Sequence, residues 1–552
     1  MSASESSMKV HQAVAKALID NGVDTIFGLL GDANMFMVDS FVHEFGGKFV
    51  AAAHETGSAL MALGYASLSG KIGICTVTHG PAVSNTVTAL IEGVKGSVPI
   101  VVLCGDTKIE EREQNQNIPQ RDIIVATGAG FEQVRSPRTV VQDLARALHR
   151  ARTEYRPIAL NIPIDFDWKD VEYEPVRVLT PDSRALVTES EDLDNAIGII
   201  AAARRPLILA GRGAATAEAR DAIIKLAERI EAPLATTLKA KDLFRGQEFN
   251  IGTCGTVSAP AAVETIMEAD CIISFGASLT FRTTSHGSFL KGKRVVQINL
   301  EPSEIAKNIQ PDVGLVGDPG RVAQLIHHWL DEAEIAPSGW TGEDLRQRHA
   351  GAHPELDSEL DYDNGTVNFR RALLKLDDAV PDDRVLVTDG GRFMRHPWEL
   401  SRTSGLQSFI ATMNCGSIGM GFGHAIGAAF AAKGRPVLLV TGDGGFVHGG
   451  LAEFNTAVRQ KLDLIVVICN DGAFGSEVAK FTWKVTDRRM APELISFDWP
   501  EFAPVAQSLG GDGVTVRSFA DLDIAAGAIR NRSRDRPLLI DLKVDPYRMQ
   551  MS

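Results

Sequence analysis

Two apolar, β-branched runs late in the chain, Val437-Leu438-Leu439-Val440 and Leu464-Ile465-Val466-Val467-Ile468, each lead into an acidic turn that contains glycine. The turns are Gly442-Asp443-Gly444-Gly445 and Asn470-Asp471-Gly472, with 25 residues between Gly444 and Asn470. Short runs of this kind bounded by turn residues read as buried strands of a parallel sheet. In such sheets ligands sit at the carboxyl ends of the strands. Gly442, Gly444 and Gly445 let backbone amides come close to phosphate oxygens, and a helix expected to begin near Leu451 would point its positive end the same way. Asp443 supplies a hard oxygen ligand. The second strand delivers Asn470 and Asp471 to the same edge, so a second side-chain oxygen and a turn carbonyl can complete an octahedral Mg²⁺ with two phosphate oxygens. One such turn alone would equally well be a capped helix start, but two at this spacing describe a magnesium diphosphate site.

The rest of the chain sets the frame. At 552 residues it is too long for one core, and its length suggests three or four domains. Short apolar strands alternate with amphipathic stretches throughout, the pattern of parallel sheets covered by helices. The expected fold class is therefore α/β, with three doubly wound parallel-sheet domains over residues 1–180, 190–340 and 360–552. The first holds strands at Ile72–Val77 and Pro99–Leu103, and the second at Pro206–Ala210 and Cys271–Phe275. Polar tracts at Asp167–Glu189 and Pro337–Asn364 read as linkers. A net charge of −14 without basic clusters argues against a nucleic-acid partner. No stretch is apolar for long enough to span a bilayer, and the first residues carry no secretory pattern. The six cysteines form no CxxC pair and read as buried thiols of a cytoplasmic protein.

Near the amino terminus, His54-Glu55-Thr56-Gly57-Ser58-Ala59-Leu60-Met61-Ala62-Leu63-Gly64 places a glutamate at the start of an Ala-rich helix. Gly416-Ser417-Ile418-Gly419-Met420-Gly421 is a glycine-rich segment holding one bulky aliphatic side chain. With these segments and the two turns, the chain resembles the thiamine diphosphate (ThDP) enzymes of the pyruvate decarboxylase and acetohydroxyacid synthase superfamily, whose signature is GDG followed at about this interval by NN. The resemblance covers nearly the whole chain and implies pyrimidine-binding, central and diphosphate-binding domains in that order. Asn470-Asp471 departs from NN; matched to the family turn, the implied ligands are Asp443, Asp471 and the carbonyl of Ala473. A slip of one residue would choose Asn470 and Gly472 instead.

By the same resemblance Glu55 is the carboxyl that faces the pyrimidine ring nitrogen, favours the imino tautomer and so creates the ylid. Ile418 is the wedge that bends the coenzyme, with Ser417 and Met420 beside it. In the family the pyrimidine domain of one subunit meets the diphosphate domain of another, which implies a homodimer or homotetramer with active sites at the subunit interface. The central Gly211-Arg212-Gly213-Ala214 turn lies where relatives hold FAD, ADP or nothing, and we expect an empty or vestigial site.

Acid–base residues decide which reaction follows. Asp32 matches the active-site Asp of pyruvate decarboxylase-like enzymes and is also a candidate helix N-cap after Gly31. His79, in Thr78-His79-Gly80-Pro81, lies near the catalytic His of benzoylformate decarboxylase-like enzymes. Glu477 aligns with a glutamate that handles the substrate carboxylate. The adjacent histidine pair of pyruvate decarboxylases is absent; Asn115-Gln116-Asn117-Ile118-Pro119-Gln120 stands there, with Gln116, or failing that Gln120, as the substrate or coenzyme contact. Phe481 to Phe502, with Trp483, is either a lid or a surface excursion. The leading expectation is a ThDP- and Mg²⁺-dependent lyase and carboligase acting on a 2-oxo acid, or a related 2-hydroxy ketone, through an enamine. An acetolactate synthase-type transferase is the alternative. From other classes stand a noncatalytic coenzyme-binding homologue and a nucleotide-dependent dehydrogenase, the latter without a GxGxxG unit.

Overall fold

The computed structural model describes residues 7–111, 113–179, 189–350, 361–362 and 364–549. Both expected linkers therefore lie partly outside the described residues. The alternating pattern resolves into three six-stranded parallel sheets covered by helices. The amino-terminal sheet holds β1 (Thr25–Gly28), β2 (Lys48–Ala51), β3 (Gly73–Val77), β4 (Ile100–Asp106), β5 (Gly130–Gln133) and β6 (Ile158–Pro163). Its spatial order is β2-β1-β3-β4-β6-β5. β1 and β3 are buried along their whole length, which is why they read as continuous apolar runs rather than alternating ones.

The central sheet holds β7 (Pro206–Ala210), β8 (Leu234–Thr236), β9 (Asn250–Thr253), β10 (Cys271–Phe275), β11 (Arg294–Asn299) and β12 (Val313–Val316), in the order β9-β8-β7-β10-β11-β12. It belongs to a compact unit formed by Pro181–Ser358 and Trp398–Phe409. Here the Gly211-Arg212-Gly213 turn spends its amides internally. Gly211 N–H donates to Phe275 O at 2.8 Å and Gly213 N–H to Gly276 O at 3.0 Å.

The carboxyl-terminal sheet repeats the order of the first. It holds β13 (Val385–Thr388), β14 (Phe409–Ala411), β15 (Val437–Gly442), β16 (Leu464–Asn470), β17 (Asp512–Val516) and β18 (Leu538–Lys543), arranged β14-β13-β15-β16-β18-β17. The register pairs Val440 with Val467 and Gly442 with Cys469, so both acidic turns leave the sheet at one level.

The amino- and carboxyl-terminal sheets share one compact unit, composed of Met1–Thr180, Glu359–Pro397 and Ile410–Ser552. Helix α1 (Glu55–Ser69) lies against a second helix, α2 (Gly421–Ala431), at a separation only glycine permits. A Cβ at Gly64 would fall 2.1 Å from His424 O, and one at Gly427 would fall 1.9 Å from Met61 O. Phe422, Phe446, Phe454 and Phe502 pack in one core cluster, Phe446 meeting Phe454 and Phe502 edge to face and Phe422 at a tilt. Each such fully buried ring stabilises the unit by roughly 1.5–3 kcal/mol.

The helix expected near Leu451 begins earlier. Asp443–Gly445 already forms an α-turn, Phe446–Gly450 a π-turn, and α3 (Leu451–Arg459) follows. The two glycines of the π-turn, Gly449 and Gly450, hid this start from a propensity reading. The positive end of the helical segment is thus at Asp443 itself.

Candidate functional site

The carboxyl-terminal sheet reverses its winding at β13, since β14 lies on one side of it and β15 on the other. At this switch point, beyond the strand ends, is a cavity of about 400 Å³. Its walls come from the segments after β13 (Gly390 to Phe393), β15 (Gly442 to Gly445) and β16 (Asp471 and Ala473 to Glu477), together with Ile418.

Asp443 is 5% exposed. Its Oδ1 accepts Gly444 N–H at 2.8 Å and its Oδ2 accepts Gly472 N–H at 2.9 Å, so the first turn and the second are tied through this carboxylate. Asp471 Oδ1 accepts Ala473 N–H at 3.1 Å. Burial pushes both carboxyls above the ordinary range, and the charge of Asp443 pushes Asp471 further. Two desolvated carboxylates that disfavour each other's ionisation are suited to a shared cation. Among the described residues no three His, Cys, Asp or Glu side chains converge on a metal position. A hexacoordinate Mg²⁺ here would therefore take its remaining oxygens from a carbonyl, water and the ligand's phosphates, which suits a metal carried in with a diphosphate. The Ala473 carbonyl accepts Gly475 N–H at 2.9 Å and keeps a second lone pair. Asn470 points elsewhere: it is buried, its amide donates to Asp541 Oδ1 at 2.8 Å, and it does not line the cavity.

A residue not singled out in the sequence organises the opposite wall. Asp389, at the end of β13, is buried and accepts Gly390 N–H (2.8 Å), Gly419 N–H (3.0 Å), Met420 N–H (3.3 Å) and the Thr441 hydroxyl (3.0 Å). Those bonds fix the 416–421 loop so that Ile418 stands in the cavity, 41% exposed. Met420 is buried outside it, and the Ser417 hydroxyl turns back to Ile418 O at 3.1 Å. Gly445 is required by Asp389, whose Oδ2 would be 2.7 Å from a Cβ there; Gly444 is open to the cavity, with only Ile418 Cδ1 at 3.8 Å. The signal for Asp389 was present: Val385–Thr388 followed by Asp389-Gly390-Gly391 is again a strand leading into an acidic glycine turn.

Glu477 lines the cavity from the first turn of α4 (Gly475–Lys484). Of the 481–502 segment, the aromatic side chains that reach the cavity are Phe497 and Trp499, stacked at 4.8 Å, whereas Trp483 is 74% exposed. The segment folds back over the Asn470-Asp471-Gly472 turn through Phe497 N–H to Gly472 O at 2.7 Å.

The amino-terminal candidates gather at the corresponding switch point of their own sheet, after β1 and β3. Thr78 Oγ1 donates to Asp32 Oδ1 at 2.9 Å and lies 3.2 Å from His79 Nδ1, which is 3.8 Å from the same carboxylate. His79 is buried rather than a surface loop residue. Asp32 is not a helix cap; Asn34 takes that position, its Oδ1 accepting Gly31 N–H at 2.8 Å. Glu55 begins α1 and accepts Asn85 Nδ2 at 3.0 Å. Gln120 is buried and pins the loop, accepting Gly80 N–H and donating to Gly105 O at 3.0 Å, while Gln116 lays its backbone against Gly80. None of Glu55, Asp32, His79 or Gln116 lines the cavity that holds Asp443.

Each sheet overlaps one of three matched families: the thiamine pyrophosphate enzyme N-terminal TPP binding domain over residues 8–126, the central domain over 193–326 and the C-terminal TPP binding domain over 389–542. The chain belongs to the thiamine pyrophosphate enzymes. Among curated relatives it is 26% identical to a probable acetolactate synthase large subunit of Methanocaldococcus jannaschii, covering 98% of this chain and 92% of that one. It is 28% identical to the sulfoacetaldehyde acetyltransferase of Castellaniella defragrans, covering 93% and 89%. It is 25% identical to the acetolactate synthase isozyme 2 large subunit of Escherichia coli, covering 97% and 95%. No helix among the described residues is long and apolar enough to cross a membrane.

Proposed function

We propose that the chain is a ThDP- and Mg²⁺-dependent enzyme that breaks the bond beside the carbonyl of a 2-oxo acid or related ketone and passes the acyl fragment to an acceptor. The observation that carries this reading is the cavity at the β13–β15 switch point, where Asp443, Asp471 and Ile418 converge. Transfer is preferred to simple decarboxylation because the curated relatives named above are acetolactate synthases and an acetyltransferase. Bound ThDP supplies a nucleophilic carbon and an electron sink for the bond that breaks. Asp443, Asp471 and the Ala473 carbonyl would hold the cation, the amide of Gly444 would face a phosphate, and Ile418 would support the bent coenzyme. Glu477, at the first turn of α4, stands where a substrate carboxylate or a proton could be handled.

Glu55, with Asp32, His79 and Gln116, would reach the coenzyme from a second copy of the chain. Their position outside the cavity lined by carboxyl-terminal residues favours a homodimer or homotetramer. Six unpaired cysteines, five of them buried, fit a cytoplasmic setting.

Incubation of the protein with ThDP, Mg²⁺ and either pyruvate, which serves as its own acceptor, or sulfoacetaldehyde with inorganic phosphate as the acceptor, with products read by NMR, tests the reading. Acetolactate from pyruvate, or acetyl transfer from sulfoacetaldehyde, is expected of a transferase. Free aldehyde as the sole product of pyruvate would identify a simple decarboxylase. No consumption across a panel of 2-oxo acids and 2-hydroxy ketones would refute both.

A further inference from the structure

Asp471 stands where the superfamily signature has a neutral amide, so this cation site carries an additional negative charge. Beside it is Arg392, in the loop after β13. A Cβ built at Gly475 would lie 2.1 Å from Asp471 Oδ2 and 3.4 Å from Arg392 Cδ, which puts both side chains against one glycine. Among the described residues Arg392 is the only arginine or lysine lining the cavity; the other titratable groups there are Asp443, Glu477, His448 and Cys469. Arg392 Nη1 donates to the carbonyl of Pro546, and its Nε–H is buried without an acceptor among the described residues. A guanidinium keeps its charge at any working pH, and a buried carboxylate added to a site without a counter-charge is strongly unfavourable.

We propose that Arg392 is the counter-charge that makes Asp471 usable as the second carboxylate of the cation site, and that its free Nε–H is left for an anionic oxygen of the incoming diphosphate. The pair Arg392–Asp471 then carries the same net charge as the single amide of the signature. This rests on the ThDP reading above. The chemistry does not depend on a particular substrate, because it concerns the metal diphosphate alone.

The test is a double-mutant cycle on the full-length apoprotein: wild type, Arg392→Gln, Asp471→Asn and the double variant. Two readouts are followed, ThDP affinity at saturating Mg²⁺ from quenching of tryptophan emission, and the melting temperature without ligand. Arg392→Gln is expected to weaken ThDP binding at least tenfold and to lower the melting temperature. Arg392→Gln should cost much less in both readouts in the Asp471→Asn background than in the wild type. Additive effects in both readouts would overturn the proposal. Failure of the wild type to bind ThDP would instead overturn the function proposed above, and the coupling in melting temperature would still decide whether the two charges are paired.

Discussion

Glu453 Oε1 accepts the backbone N–H of His54 at 3.2 Å, so a carboxylate of the carboxyl-terminal sheet's helix α3 holds the residue that precedes Glu55. The same group accepts Ala53 N–H at 3.1 Å and the Thr456 hydroxyl at 2.8 Å, and it is 3% exposed. If Glu55 serves a coenzyme on a second copy, the bond makes the carboxylate at one site depend on a helix that begins at another. Glu453→Gln keeps the volume but places an amide N–H₂ against backbone donors. It should cost about 1–3 kcal/mol of stability and lower kcat by about tenfold or more, with ThDP affinity little changed. A kcat equal to wild type in a folded variant would remove Glu453 from the positioning of Glu55.

Gly57→Ala tests the same contact from the other side. A Cβ at Gly57 would lie 2.0 Å from Glu453 Oε1, so the carboxylate must move. The variant should reproduce the Glu453→Gln phenotype, and the two changes together should cost no more than the worse of them. Additive losses in melting temperature would show separate roles.

The pH dependence has a definite sign. Burial raises Asp443 to about 6, and burial with the Asp443 charge raises Asp471 to about 7. A folded-state pKa above the unfolded value means the folded protein binds more protons, so this contribution is complete below about pH 4 and is lost as pH rises through about 7. The ligand-free protein should lose stability from this pair as the pH rises from 5 to 8. Mg²⁺ with ThDP should restore it, so the gain in melting temperature on adding both should grow with pH. A gain that shrinks towards pH 8 would contradict a cation shared by these carboxylates.

Ile418 is half-exposed in a loop whose geometry is set by Asp389. Ile418→Ala should therefore change stability by less than about 1 kcal/mol while lowering turnover by about 10- to 100-fold. Circular dichroism melting and steady-state kinetics separate these. Loss of fold with activity would make Ile418 an ordinary core residue instead.

Much of the fold was legible because the sheet-forming runs are buried on both faces and so stand out as apolar blocks. Asp443 was legible because a strand, a glycine pair and a carboxylate fall together. The choice between Asn470 and Asp471 was not, since a one-residue slip on a strand reverses a side chain, and it took the Asn470–Asp541 hydrogen bond to show which one faces inward. Asp389 carries the same strand-to-turn pattern as Asp443, but its partners are backbone amides of two segments and the hydroxyl of Thr441 on a third, which only the fold assembles. Arg392 has no local signature, because what gives it meaning is Asp471, distant in the chain. The helix start at Asp443 was obscured by a π-turn that has no propensity signal. The resemblance named Glu55, Asp32, His79 and Gln116 and implied that they would serve a coenzyme held by another subunit; none of them lines the cavity formed by their own chain's carboxyl-terminal residues.

The central claim is a metal-dependent grip on a diphosphate at Asp443 and Asp471. Calorimetric titration of metal-stripped protein with ThDP, with and without Mg²⁺, tests it most directly. Tight binding only when Mg²⁺ is present, lost in Asp443→Ala, is the predicted result; binding that ignores both Mg²⁺ and Asp443, or no binding at all, would contradict it.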